Sequence, residues 1–88
     1  MDLLPLAGDD TLNRMRRVYK YLQENPKPQP RDRIMHWTGF PSPKAQPVLA
    51  YASFQNTVMR INQKLAAHGQ RICGGIEFGE TYWLEVSA

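Results

Sequence analysis

Six residues in the window from Gln55 to Gln63 have side chains that could read nucleic-acid bases: Gln55, Asn56, Met59, Arg60, Asn62 and Gln63. Asn and Gln amides pair bidentately with adenine, and Arg with guanine, on base edges in the major groove. Thr57 in the same window is a further candidate. A purely solvated helix face would favour Glu and Lys over amides. A second set, Arg14, Arg17, Arg31, Arg33, Lys44 and Lys64, could hold backbone phosphates. Such contacts fix register and supply salt-dependent affinity, but they do not specify sequence. Not all of these cations can face one duplex, because Arg14, Arg16 and Arg17 wrap a wide arc of any helix that carries them.

The charge is segregated along the 88 residues. All 11 Lys and Arg lie between Arg14 and Arg71, with only Glu24 and Asp32 against them, a net +9. Asp2, Asp9 and Asp10 make one end acidic; Glu77, Glu80 and Glu85 make the other acidic. A basic middle of this density fits a polyanionic partner such as double-stranded DNA. It also fits a solvated face on an ordinary basic protein.

Other chemistries find little support. His36, His68 and the single Cys73 lack zinc-ligand spacing, so no metal or other cofactor is expected. His68 suits a helix C-terminus, and Cys73 suits small core filling. No Ser-His-Asp set is legible, and Gly74-Gly75 lacks a phosphate-loop context, so an enzyme is not expected. There is no apolar run long enough to span a bilayer, and MDLLPLAGDD has no basic segment of the kind that opens a signal peptide. The expectation is a soluble cytoplasmic protein without a membrane partner.

The length allows one domain. We expect a tail over residues 1–10, where Leu3, Leu4 and Leu6 could cover an edge of the core, and a domain over 11–88. Asp9 and Asp10 offer N-cap chemistry to a first helix. Its apolar stripe is Leu12, Met15, Val18, Tyr19 and Leu22, and Asn25-Pro26 ends it. PKPQP reads as a stiff linker. RDRIMHWTG reads as a short helix with Ile34, Met35 and Trp37 as its apolar contacts and Gly39 as its stop. FPSPKAQP reads as loop, and residues 47–53 as either helix or packed turn. With Ser53 as a plausible N-cap, Phe54, Val58, Ile61 and Leu65 form the buried stripe of a third helix.

A hairpin closes the chain. Arg71-Ile72-Cys73 enters a strand, and Gly74-Gly75 allows a bulge or a close backbone approach. Ile76 and Phe78 alternate with Glu77 as in a half-buried strand, and Gly79-Glu80 reads as the turn. Tyr82 and Trp83, adjacent on the return strand, must point to opposite faces. An outward aromatic among carboxylates suits a protein contact, which makes Glu77, Glu80 and Trp83 candidates for a protein interface.

The segments NTVMRINQKLAAHGQRI, residues 56–72, and YWLEV, residues 82–86, resemble the winged helix-turn-helix output domains of bacterial two-component response regulators. Val58, Ile61, Lys64 and Leu65 match the recognition-helix pattern of that family. Ile72 matches the strand after it, and Tyr82 with Leu84 the close of the wing. The resemblance implies an α+β fold, three helices followed by a C-terminal β-hairpin wing, with the third helix in the major groove of DNA and a role in transcription regulation. No receiver domain is read within these 88 residues, so the resemblance does not imply phosphorelay control. Its wing carries Glu77 and Glu80 where that family usually has arginine or another polar group that reaches DNA. Carboxylates are repelled by phosphates, so the hairpin either turns away from DNA or faces a protein. The alternative function is therefore a protein-interaction module that uses the acidic, aromatic hairpin. Homodimerisation is compatible with either reading.

Overall fold

The computed structural model describes residues 10–86, with side-chain surroundings from residue 13 onward. The expected tail, including Leu3, Leu4, Leu6 and Asp9, and the side chain of Leu12 lie outside the described residues; Asp10 is the first residue of the first helix.

Helix α1, Asp10–Glu24, buries Met15, Val18, Tyr19 and Leu22, the i, i+3, i+4, i+7 pattern of one apolar face. It stops where the Asn25 backbone N–H and side-chain amide both donate to the Tyr21 carbonyl, at 3.0 and 2.8 Å, with Pro26 following. The stiff linker then does more than connect. Gln29–Pro30 forms a two-residue strand, β1, opposite Tyr82 and Thr81.

Helix α2, Arg31–Thr38, begins immediately and ends at Gly39, whose φ of 83° is a left-handed conformation that glycine adopts at little cost. Arg17 of α1 donates to the Thr38 carbonyl at 3.3 Å, which satisfies part of that helix end. Ile34, Met35 and Thr38 are its buried residues. Trp37, expected in the core, is 67% exposed. The reason is angular: Ile34, Met35 and Thr38 share an arc of about 100° and Trp37 falls outside it. Thr38 satisfies its hydroxyl by donating to the Ile34 carbonyl at 2.6 Å, so a polar residue can take the buried place.

Helix α3, Pro47–Leu65, is 19 residues long, or about 28 Å. The ambiguous segment 47–53 is its first part, with Pro47 in the opening turn and Gln46 before it. Ser53 is therefore mid-helix and not an N-cap; its carbonyl accepts the Thr57 hydroxyl at 2.8 Å. Ala50, Phe54, Thr57, Ile61 and Leu65 are buried, and Val58 is half-buried at the margin. Phe54 sits at the centre of the core, edge-on to Phe40 and to Tyr82 with ring centroids 5.5 and 5.1 Å away.

After a single 3-10 turn, β2, Gln70–Gly75, pairs antiparallel with β3, Thr81–Val86, and β1 adds to the far side of β3 in the order β1-β3-β2. Ile72, Leu84 and Tyr82 face the helices; Cys73 and Trp83 pair on the outer face. The Cys73 thiol is thus half-exposed, 3.5 Å from a Glu85 carboxylate oxygen, and does not fill the core. At Gly74 the β3 backbone comes so close that a Cβ would collide with the Thr81 carbonyl oxygen and lie 2.8 Å from the Tyr82 Cα. The expected strand over Ile76-Glu77-Phe78 is a 3-10 turn, and Ile76 and Phe78 are exposed. Gly75, at φ 136°, diverts the chain, and Gly79 and Glu80, both with positive φ, return it.

The result is an α+β fold of three helices and a three-stranded antiparallel sheet. Among the described residues, no helix is long and apolar enough to cross a membrane.

Candidate functional site

Helix α3 presents one broad face away from the core, and none of its 19 residues is acidic. Gln55, Asn56, Met59, Arg60 and Gln63 are exposed along it, preceded by exposed Val48 and Leu49 near its start. A groove runs along each flank of this face.

The groove against the hairpin has a volume of about 530 Å³ and is lined by Gln55, Val58, Met59, Gln63 and Tyr82, among others. Asn62 borders it, but its amide is engaged inside the fold. The Ile72 backbone N–H donates to Asn62 Oδ1 at 2.7 Å, and Asn62 Nδ2 donates to the Ile72 carbonyl at 3.2 Å. Asn62 thus holds β2 against α3 and has little left for a base edge. Thr57 is 5% exposed, and its hydroxyl donates to the Ser53 carbonyl, which leaves little of it for a base edge. Burial holds the Tyr82 phenol above its ordinary pKa, with Arg31 nearby opposing that shift.

The groove against α1 is smaller, about 160 Å³, and is polar: Arg14, Ser53, Asn56, Thr57 and Arg60 line it. Two cations that the sequence assigned to different jobs, phosphate for Arg14 and bases for Arg60, therefore meet in one cleft. Lys64 is exposed one helical turn beyond Arg60 on the same flank.

Arg31 is not a free cation. Its side chain is 13% exposed, lies 3.8 Å from the centre of the Tyr51 ring, and donates to a Glu80 carboxylate oxygen at 3.0 Å. Asp32 lies 3.5 Å away, and the Arg31 backbone N–H donates to the Glu80 carbonyl at 2.9 Å. Glu80 is thereby tied to α2, and Glu85 lies 3.9 Å from Arg71. The hairpin's acidity is partly internal: Glu77 is the hairpin carboxylate without an ion pair among the described residues. Arg33 and Lys44 are exposed on α2 and on the loop after it, apart from both grooves. Trp83 stacks edge-on with Phe78 at 5.1 Å on the outer face of the hairpin.

The sequence carried no signal for the pairing of Arg31 with Glu80, 49 residues apart, or for the capture of Ile72 by Asn62. Among the described residues, no three His, Cys, Asp or Glu side chains gather in one place. No protein-family model matches the chain, and no curated protein or solved structure matches it either.

Proposed function

We propose that the chain is a winged-helix DNA-binding domain that serves transcription regulation, with α3 lying in the major groove. The observation that carries this reading is the outer face of α3: amides, Met59 and Arg60 over a helix without a single carboxylate. A helix about 10–12 Å across fits the major groove, about 12 Å wide. Gln55, Met59 and Gln63 are the base readers in this arrangement; Asn62 and Arg31 are not. The element order, α1-β1-α2-α3-β2-β3 with the sheet order β1-β3-β2, agrees with the winged-helix arrangement.

The test is fluorescence anisotropy of labelled random-sequence duplex against salt. Binding that is micromolar or tighter at low salt and falls steeply as salt rises supports the reading. No binding at low salt refutes it. Gln55→Ala with Gln63→Ala then relaxes sequence preference and leaves random-sequence affinity nearly unchanged.

A second reading, a protein-interaction module, draws on one observation. Ile76 and Phe78 are 81% and 54% exposed at the tip of the hairpin. Ile76→Ser with Phe78→Ser abolishes partner binding or self-association under that reading and leaves duplex affinity unchanged under the first.

A further inference from the structure

We infer that the cleft between α1 and α3 is a seat for a single phosphodiester phosphate, held between Arg14 and Arg60. This inference rests on the DNA reading above and assigns Arg60 and Asn56 to the sugar–phosphate backbone, not to the bases.

Three features of the cleft support it. Its lining, Arg14, Ser53, Asn56, Thr57 and Arg60, contains two guanidinium groups, an amide and two hydroxyls, of which that of Thr57 already donates to the Ser53 carbonyl, and no carboxylate. Neither Arg14 nor Arg60 forms an ion pair among the described residues. Two like charges from different elements therefore share one cleft, an arrangement that repels itself until an anion enters. Arg14 Nε is buried without a hydrogen-bond partner, and the guanidinium lies 4.9 Å from the centre of the Phe40 ring, which limits how it can turn. A planar fork with an unpaired donor suits the oxygens of a tetrahedral phosphate better than an ammonium would.

Position favours a diester in a duplex over a free anion. Asn56 and Arg60 belong both to the cleft and to the exposed face of α3. With that face in a major groove, the flank of the helix runs beside a strand's backbone. At about 160 Å³, the cleft has less than a third of the volume of the groove on the other flank of α3, a small seat and not a channel.

The experiment is the salt dependence of duplex binding for the full chain, for Arg14→Gln, for Arg60→Gln and for the double variant, with thermal melting to confirm that each folds. Each neutralised phosphate contributes about 0.9 to the slope of log Kobs against log salt. We expect the double variant to lose about 0.9, one phosphate, and each single variant to weaken binding several-fold. If the wild type binds but the double variant keeps its slope, or loses about twice that amount, the shared seat is wrong while the DNA reading stands. If Arg14→Gln does not fold, Asn56→Asp replaces it: a carboxylate in the cleft must weaken binding at least ten-fold, and an unchanged affinity overturns the inference. If the wild type does not bind duplex, both readings fall. Titration of inorganic phosphate, followed through the arginine Nε–H resonances, then separates a seat for a free phosphate from no anion site at all.

Discussion

Replacing Asn62 with alanine separates a structural amide from a base-reading one. Asn62 satisfies both backbone groups of Ile72, at 2.7 and 3.2 Å. Ile72 is 5% exposed, so the truncation leaves a donor and an acceptor at the margin of the core. A buried polar group left unpaired costs about 1–3 kcal/mol. The groove beside Asn62 admits some water, which places each group near the lower end and the pair at about 2 kcal/mol. For a domain of this size that corresponds to a melting temperature about 8–16 °C lower. In urea, with a slope of about 1–2 kcal/mol/M, the midpoint falls by about 1–2 M. Tryptophan fluorescence follows the transition, because Trp83 lies on the strand paired with β2. The slope should not change. If Asn62→Ala stays within about 0.5 kcal/mol of the parent yet loses preference among DNA sequences, the amide reads bases and the structural assignment is refuted.

Gly74→Ala should cost about 3 kcal/mol or more, because the new Cβ meets the β3 backbone and φ is 134°; a circular-dichroism melt within a few degrees of wild type would contradict the close approach. Glu80→Gln should cost less than about 1 kcal/mol, since the carboxylate is half exposed, whereas Arg31→Ala also loses the Tyr51 stacking and should cost about 2 kcal/mol. Equal losses in urea melts would show that the ion pair alone matters. For Tyr82 the buried phenol holds its proton longer in the folded state than in the unfolded one. Its stabilisation is complete below the ordinary value of 10.0 and declines as pH rises from there through the folded value. Tyr82→Phe, compared by urea midpoints from pH 7 to 11, should reduce that decline; parallel profiles would rule the phenol out.

The parts that the sequence made legible depend on local spacing. Phe54, Ile61 and Leu65 recur at helical intervals and are all buried. Gly39 stops α2 because a left-handed residue is needed there, and Gly74 marks a close approach because a side chain would collide. The parts that were not legible depend on partners far away in the chain. Gln29–Pro30 is a strand only because Thr81 and Tyr82 lie beside it, and nothing in PKPQP announces that. The basic residues looked alike in sequence, yet Arg31 is committed to Glu80 and Tyr51, Arg17 caps α2, and Arg14 meets Arg60 across a cleft. Tertiary placement, not composition, separates a cation committed to the fold from one left without an ion pair among the described residues.

The junction at Arg31 has an evolutionary consequence. One guanidinium touches the start of α2, the tip of the hairpin and the Tyr51 ring of α3. The hairpin is therefore not an independent module that drift or grafting can exchange at will. A descendant that loses Arg31 releases the constraint on Glu80, and one that replaces Glu80 leaves a largely enclosed cation under pressure to change. Substitutions at positions 31, 51 and 80 are expected to arise together, while the neighbouring tip residues Ile76, Glu77 and Phe78 drift or adapt to new surfaces without disturbing the helices.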